Sequence, residues 1–382
     1  MPSSEINKIR KTVGIITMHR PDNYGSYLQT YATFKFIHNL GYNVKVIDYA
    51  YPTDYHKSLV KVKAVSKGRH LSFIHKKVSG LFRRMLRIDA REHQIRMQDF
   101  YAENLSFTKA YNNAEELKKD PPYFDIYVTG SDQVWNPEFT GKDTTFLLSW
   151  VPQGKTKIAF SSSFAVKKLS EEEKKLYGEY LKDYKHISIR EYSDILRNLG
   201  ITGKVTLDPT FLISKTQWMS ITSEHPLVEG NYILCYLLGY KFDPYPFAYK
   251  LIDRVRKETK YKVVVIDGDP YDTLRGYKVM GGMGPSDFIN LFAYSSFVIT
   301  SSFHGTAFAI NFEKPFITII NKGTNDNRQV SLVREFNISV DHIVSLDDDV
   351  KTLHPCQNVD WSEKLNDLRA MSATYLTKSL EE

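Results

Sequence analysis

The stretch TVGIITMHRPDNYGSYLQTYATFKFIHNLGYNVKVID, residues 12–48, decides the fold. Residues 12–17 (TVGIIT) are apolar and β-branched, as in a strand covered on both faces. The polar loop MHRPDNYGSY follows. From about Tyr27 to Leu40, the residues Leu28, Tyr31, Ala32, Phe34, Phe36 and Ile37 recur at helical spacing. Gly41 then stands where a helix commonly ends in a left-handed residue. Residues 43–48 (NVKVID) read as the next strand. Strand, helix, short turn and strand form a βαβ unit, with parallel strands and a right-handed connection.

The same alternation continues outward. Residues 124–129 (FDIYVT), 157–160, 187–189 and 204–207 read as strands, and 171–184 and 193–199 as helices. A second series starts at Tyr232: YILCYLL, helix 246–259, VVVID, helix 286–294, FVIT, helix 305–313 and PFITII. This pattern predicts an α/β protein of two Rossmann-like, doubly wound domains facing a cleft. The expected boundaries are residues 1–208 and 209–382, with a hinge between Asp208 and Trp218. Leu365, Leu368, Met371 and Leu376 predict a final C-terminal helix. No period of 20–50 residues repeats, which excludes a solenoid.

Composition narrows the function classes. Of 382 residues, 42% are hydrophobic and 25% charged, which excludes a disordered chain. Two cysteines, Cys235 and Cys356, exclude a disulfide framework and fit a reducing cytosol. The first twenty residues carry a short apolar stretch followed by His19 and Arg20, so a cytoplasmic protein without a signal peptide is expected. Net charge is +7, but residues 57–96 alone carry twelve Lys or Arg against Asp89 and Glu92, so this insert holds +10 and the remainder −3. Within a basic helical insert at about 56–100, LSFIHKKVSGLFRRMLRI (71–88) puts Leu71, Ile74, Val78, Leu81, Phe82, Met85 and Ile88 on one helical side, with most cations opposite. That layout suits peripheral contact with an anionic membrane surface, at the inner face of the plasma membrane. No nucleic-acid-binding motif accompanies the charge, so nucleic acid is not an expected partner.

In doubly wound folds ligands bind outside the carboxyl ends of the strands, so the loops after strands are where chemistry is expected. FVITSSFHGTAFAINFEKPF (297–316) puts Ser301, Ser302, His304 and Gly305 between a strand and a helix. Helix-terminal N–H groups favour an anion there, and His304 can ligate a phosphate or move a proton. The loop after the first strand offers Asn23, Tyr24 and Gly25. TGSDQVWNP (129–137) offers Asp132 as a base for a hydroxyl and Trp135 as a platform for a sugar face. Arg190, after a buried strand, could clamp an anion. Asp267-Gly-Asp269 has the spacing of a hard-cation site, but Asp-Gly-Asp-Pro is also a strong turn, and no cluster requires a metal. Gly-Gly-Met-Gly at 281–284 follows no readable strand. No phosphate-binding loop of the NTPase type and no dinucleotide fingerprint is present, so no cofactor is expected.

Three stretches, DNYGSYLQTYATFKFIHNLGYNVKVIDY, FDIYVTGSDQVWNP and TSSFHGTAFAINFEKPF, resemble the polysaccharide pyruvyl transferase family, as do SIREYSDILRNLG and VTLDPTFLI. The resemblance implies a GT-B-like architecture. It also implies transfer of a pyruvyl group from phosphoenolpyruvate to a sugar, as a ketal, in bacterial capsule or exopolysaccharide synthesis. The acceptor would be a saccharide, with a lipid-linked one among the candidates. The family's histidine falls on His304 and its arginine on Arg190. Ser-Phe-His-Gly stands where other members have Arg before His, and Lys322 or Arg328 could restore that cation. The competing reading is a GT-B-type nucleotide-sugar glycosyltransferase.

Overall fold

The computed structural model describes residues 11–51, 81–239, 241–323, 328–353 and 360–382, with only the backbone of residues 81–88 and Pro270. Most of the amphipathic segment expected at 71–88 therefore lies outside the described residues.

Among the described residues, thirteen strands make two wholly parallel sheets. The first takes β1 (Thr12–Ile16), β2 (Asn43–Tyr49), β3 (Phe107–Tyr111), β4 (Ile126–Thr129), β5 (Thr156–Ser162), β6 (His186–Ile189) and β7 (Lys204–Val205), in the order β3-β2-β1-β4-β5-β6-β7. The second takes β8 (Tyr232–Tyr236), β9 (Lys262–Ile266), β10 (Lys278–Met280), β11 (Phe297–Thr300), β12 (Phe316–Ile320) and β13 (Ile343–Ser345), in the order β10-β9-β8-β11-β12-β13. Both orders reverse direction next to the first strand of their sheet, which defines the switch point of a doubly wound fold. Central strands such as β4 and β8 are buried throughout, so their side chains are apolar on both faces. Eight helices matter below: α1 (Tyr24–Asn39), α2 (Leu81–Asn104), α3 (Glu171–Leu181), α4 (Phe247–Thr259), α5 (Pro285–Tyr294), α6 (Phe303–Asn311), α7 (Arg328–Glu335) and α8 (Ser362–Glu381).

The expected βαβ unit is present, with β1 pairing β2 in parallel from Thr12 opposite Asn43. α1 begins three residues before the expected Tyr27, because the Asn23 side chain accepts from Gly25 N at 2.8 Å and caps it. Gly41, at φ 93°, closes its far end as predicted. Three strands have no counterpart in the sequence reading: β3, β10 and β13. All lie at sheet edges and are partly exposed, so no continuous apolar run marks them. Gly281-Gly282-Met283-Gly284 consequently does follow a strand, β10, and leads into α5.

One continuous core joins the two halves. Val13 and Ile126 of the first sheet, Tyr232 and Val264 of the second, α1, α5, α6 and α8 all belong to it. Separate clusters cover the outer face of each sheet. The segment expected to hinge is a buried strut: Phe211, Leu212, Ile213 and Trp218 are in the shared core, and Asn311 Nδ2 donates to Thr210 O and Ile213 O at 2.9 and 3.2 Å. The C-terminal helix also departs from the expected boundary. α8 returns to the first half, where Leu207 N donates to Ser372 Oγ at 2.9 Å and Tyr375 stacks on Phe160.

Candidate active site

The second half contributes one sharp turn. β11 ends at Thr300, whose Oγ1 donates to Tyr236 O at 2.7 Å and accepts from Ser302 N at 3.0 Å. Ser302 caps α6 by accepting from Gly305 N. Ser301 Oγ donates to Leu238 O and accepts from Leu238 N. A Cβ at position 305 would overlap Thr300, so only glycine lets the helix start this close to its strand. Ser301, Ser302 and Gly305 therefore build the turn rather than presenting donors to a ligand. The turn aims His304 at the first half. Its ring lies against Gly25, where any Cβ would collide with it, and its Nε2 lies 3.7 Å from Asp208 Oδ2. The residue is 6% exposed.

The first half contributes a buried ionic cluster from the ends of β4, β6 and β7. Arg190 is wholly buried. Its Nη2 donates to Asp132 Oδ1 at 2.9 Å and its Nη1 to Asp208 Oδ2 at 2.8 Å. Asp132, at φ 72°, also accepts from Ser26 Oγ at 3.2 Å. Asp208 Oδ1 accepts from Thr210 N and Oγ1 at 3.0 and 2.8 Å. Arg190 and Arg328 lie 4.2 and 5.6 Å from the centroid of the Phe303 ring. Burial alone would raise the Asp208 carboxyl, but His304, Arg190 and the Thr210 amide hold it well below the carboxylate range. Asp132 is likewise lowered against its burial, by Arg190, His304 and Arg328. Glu191 differs: burial pushes its carboxyl up although Oε1 accepts from Ser163 Oγ, Phe164 N and Ala165 N.

The structure thus brings together His304, Arg190, Asp132, Arg328 and Gly25 from the expected residues. Several others belong elsewhere. Trp135 is fully buried, donates from Nε1 to Phe146 O and packs on Phe164, so it offers no face to a sugar. Tyr24 is buried between the halves, stacked on Phe288 at 4.7 Å. Asn23 serves as the helix cap. Lys322 is 65% exposed and pairs with Asp348 beside the edge strand β13, so Arg328 is the cation that joins the cluster. Asp132, stabilised as an anion, is a weak proton acceptor; its geometry makes it an anchor for Arg190. Asp269 caps a short helix at Pro270–Leu274, as the turn reading requires. Among the described residues no group of three or more His, Cys, Asp or Glu could hold a metal ion. Asp208, Phe303 and Glu191 escaped the sequence reading as site residues. Asp208 carried a usable signal, since Asp208-Pro209 directly follows a strand.

Two doubly wound domains with their strand ends meeting at a shared seam define the GT-B class of two-domain α/β fold. Solved structures agree on the fold: a UDP-GlcNAc 2-epimerase from Methanocaldococcus jannaschii (TM-score 0.56, 13% identity, covering 97% of this chain and 99% of that one) and a putative UDP-N-acetylglucosamine 2-epimerase from Listeria monocytogenes (0.54, 10%, 97% and 96%). A third, from Rickettsia bellii, gives 0.54 at 8% identity, covering 97% and 96%. No curated protein sequence matches this chain. Within the class, the polysaccharide pyruvyl transferase family model matches residues 23–323, and the chain belongs to that family.

Proposed function

We propose that the protein transfers the pyruvyl group of phosphoenolpyruvate to two hydroxyls of a sugar in a bacterial surface polysaccharide precursor, with release of phosphate. The observation that carries this reading is the meeting of His304 from one domain with the buried Arg190 cluster from the other, joined by Arg328. Two guanidiniums and an imidazole around an apolar ring suit a small molecule that carries both a carboxylate and a phosphate. In the reaction, His304 protonates C3 of the enol, and a sugar hydroxyl adds to the electrophilic C2. The C2–O bond to phosphate breaks, and the second hydroxyl closes the ketal. Of the two hydroxyl protons, one restores His304 and the other leaves with phosphate. Asp132 orients Arg190 throughout, and Gly25, against the His304 ring, bounds the acceptor side. No cofactor is needed by this route.

A nucleotide-sugar transferase reading draws on the fold likeness to UDP-GlcNAc 2-epimerases alone. Incubation with phosphoenolpyruvate or UDP-sugars and candidate acceptors, following phosphate and UDP release, decides between them. Phosphate release dependent on acceptor and on phosphoenolpyruvate supports the proposal; UDP release refutes it. We further propose that residues 57–96 attach the protein peripherally to an anionic inner membrane surface that displays lipid-linked saccharides. Among the described residues no helix is long and apolar enough to cross a membrane. Failure to float with anionic liposomes at low salt would dispose of the attachment.

A further inference from the structure

The ion pairs in the seam leave one imidazole nitrogen beside them without a partner. Asp132 and Asp208 are buried anions, and Arg190 is one buried cation shared between them. Asp208 divides its oxygens. Oδ1 is engaged by Thr210, while Oδ2 receives Arg190 Nη1 at 2.8 Å, has Ser131 Oγ at 3.1 Å, and faces His304 Nε2 at 3.7 Å. That nitrogen is buried and has no hydrogen-bond partner. The charged groups around it come from every neighbouring element: Asp132 after β4, Arg190 and Glu191 after β6, Asp208 after β7 and Arg328 on α7. A buried imidazole nitrogen is costly without a partner, and the Asp208 carboxylate lies just beyond bonding distance of it, at 3.7 Å. Hydrogen bonds of catalytic groups are often long in the free protein and shorten when substrate binds.

We propose that Asp208 is a positioning residue for His304: it takes the Nε2–H of the imidazole across the domain boundary, and so makes Nδ1, on the Gly25 side, the nitrogen that exchanges a proton with substrate. The inference rests on the transferase reading for its kinetic consequence, though not for its geometry. Asp208 also carries information between domains. Its other ligand, Arg190, belongs to the first domain, so closing the His304 bond draws the second domain onto the anion site and places proton donor and cation in register. A carboxylate behind an imidazole fixes both its tautomer and its orientation, the arrangement used wherever a histidine must move protons repeatedly.

The test uses Asp208→Asn, which leaves Arg190 a balanced pair with Asp132, alongside His304→Gln and the double variant. The expected result is a kcat lowered by about 10²- to 10⁴-fold in Asp208→Asn, with KM for phosphoenolpyruvate little changed, and a double variant no slower than His304→Gln alone. A kcat within about threefold of wild type, or losses that multiply in the double variant, overturns the proposal. Should Asp208→Asn fail to fold, Thr210→Val removes only the hydroxyl that steadies Oδ1. It must slow turnover when His304 is present and leave His304→Gln unaffected; equal losses in both backgrounds overturn the assignment. A readout free of turnover comes from proton NMR. A downfield imidazole N–H resonance is expected in the wild type and absent from both His304→Gln and Asp208→Asn. Its persistence in Asp208→Asn refutes the bond even where no transferase activity is found, so the two readings fail separately.

Discussion

His304 is supplied by one domain but held by atoms of the other, and that division sets the consequences of changing single residues. His304→Ala removes a ring that lies in the seam and leaves the capped turn around it intact. Pyruvyl transfer should vanish while the melting temperature moves by no more than a few degrees; turnover near wild type would remove His304 from the mechanism. Arg190→Ala acts in the opposite sense. It strands Asp132 and Asp208, two buried carboxylates that share the guanidinium. Breaking a buried pair costs about 3–5 kcal/mol, so a large loss of stability should accompany the loss of activity in denaturant melts. A protein as stable as wild type would mean that the cluster is open to water. This asymmetry was only half legible in the sequence. A histidine at a strand-to-helix turn announces itself, whereas Asp208 shows in the sequence only as a residue after a strand, and its role emerges once three strand ends are seen to converge. Trp135 shows the converse failure, because a loop tryptophan next to a candidate site can equally point into the core.

At the scale of elements, α2 joins the basic insert to the far domain. Across α2, Asp89, Glu92 and Arg96 press on Gly281, Gly282 and Gly284, and Arg96 pairs with Asp287. His93 Nδ1 lies 2.6 Å from Met283 O and Nε2 lies 2.8 Å from Asp22 Oδ1. The glycines at 281–284 are therefore explained by a helix lying on them, which no local pattern in the sequence could reveal, since about 190 residues separate the partners. A Cβ at Gly281 would sit 3.0 Å from Asp89 Oδ2, and Gly282 has a φ of 66° that L side chains rarely adopt. Gly282→Val should loosen α2 and speed its proteolysis without unfolding either sheet; unchanged cleavage would show the contact to be incidental. Burial pulls the His93 imidazole down, but the Asp22 hydrogen bond and the Met283 carbonyl more than offset it, so it titrates above its ordinary value. A raised folded-state value means that this contribution to stability is complete below about pH 6.5 and is lost as pH rises through the folded value. Hydrogen exchange in α2 should accelerate over that window in wild type, and His93→Gln should abolish the dependence.

At the scale of the whole molecule, the shared core governs how the halves can move and unfold. The central strands of both sheets were readable because strands buried on both faces are written as unbroken apolar runs, whereas the order in which they pair, and the edge strands β3, β10 and β13, were not. The linker was not, because Phe211-Leu212-Ile213 resembles a short strand and its burial depends on α6 and α8 packing over it. α8 is decisive here. Leu365, Leu368, Leu376 and Leu380 are buried in that core, while Arg369 reaches Phe211 O from Nε and Asn311 Oδ1 from Nη2. Four buried leucines are worth about 1.5–3 kcal/mol each, comparable in sum to the 5–15 kcal/mol that stabilises a typical domain. Two sheets joined through one core should unfold together, giving a single calorimetric transition whose van't Hoff and calorimetric enthalpies agree. Deleting residues 362–382 should remove that cooperativity, leaving two separable transitions or an insoluble chain. Two resolved transitions in the intact protein would instead mean that the domains are independent bodies, and that the seam at His304 forms only when they dock.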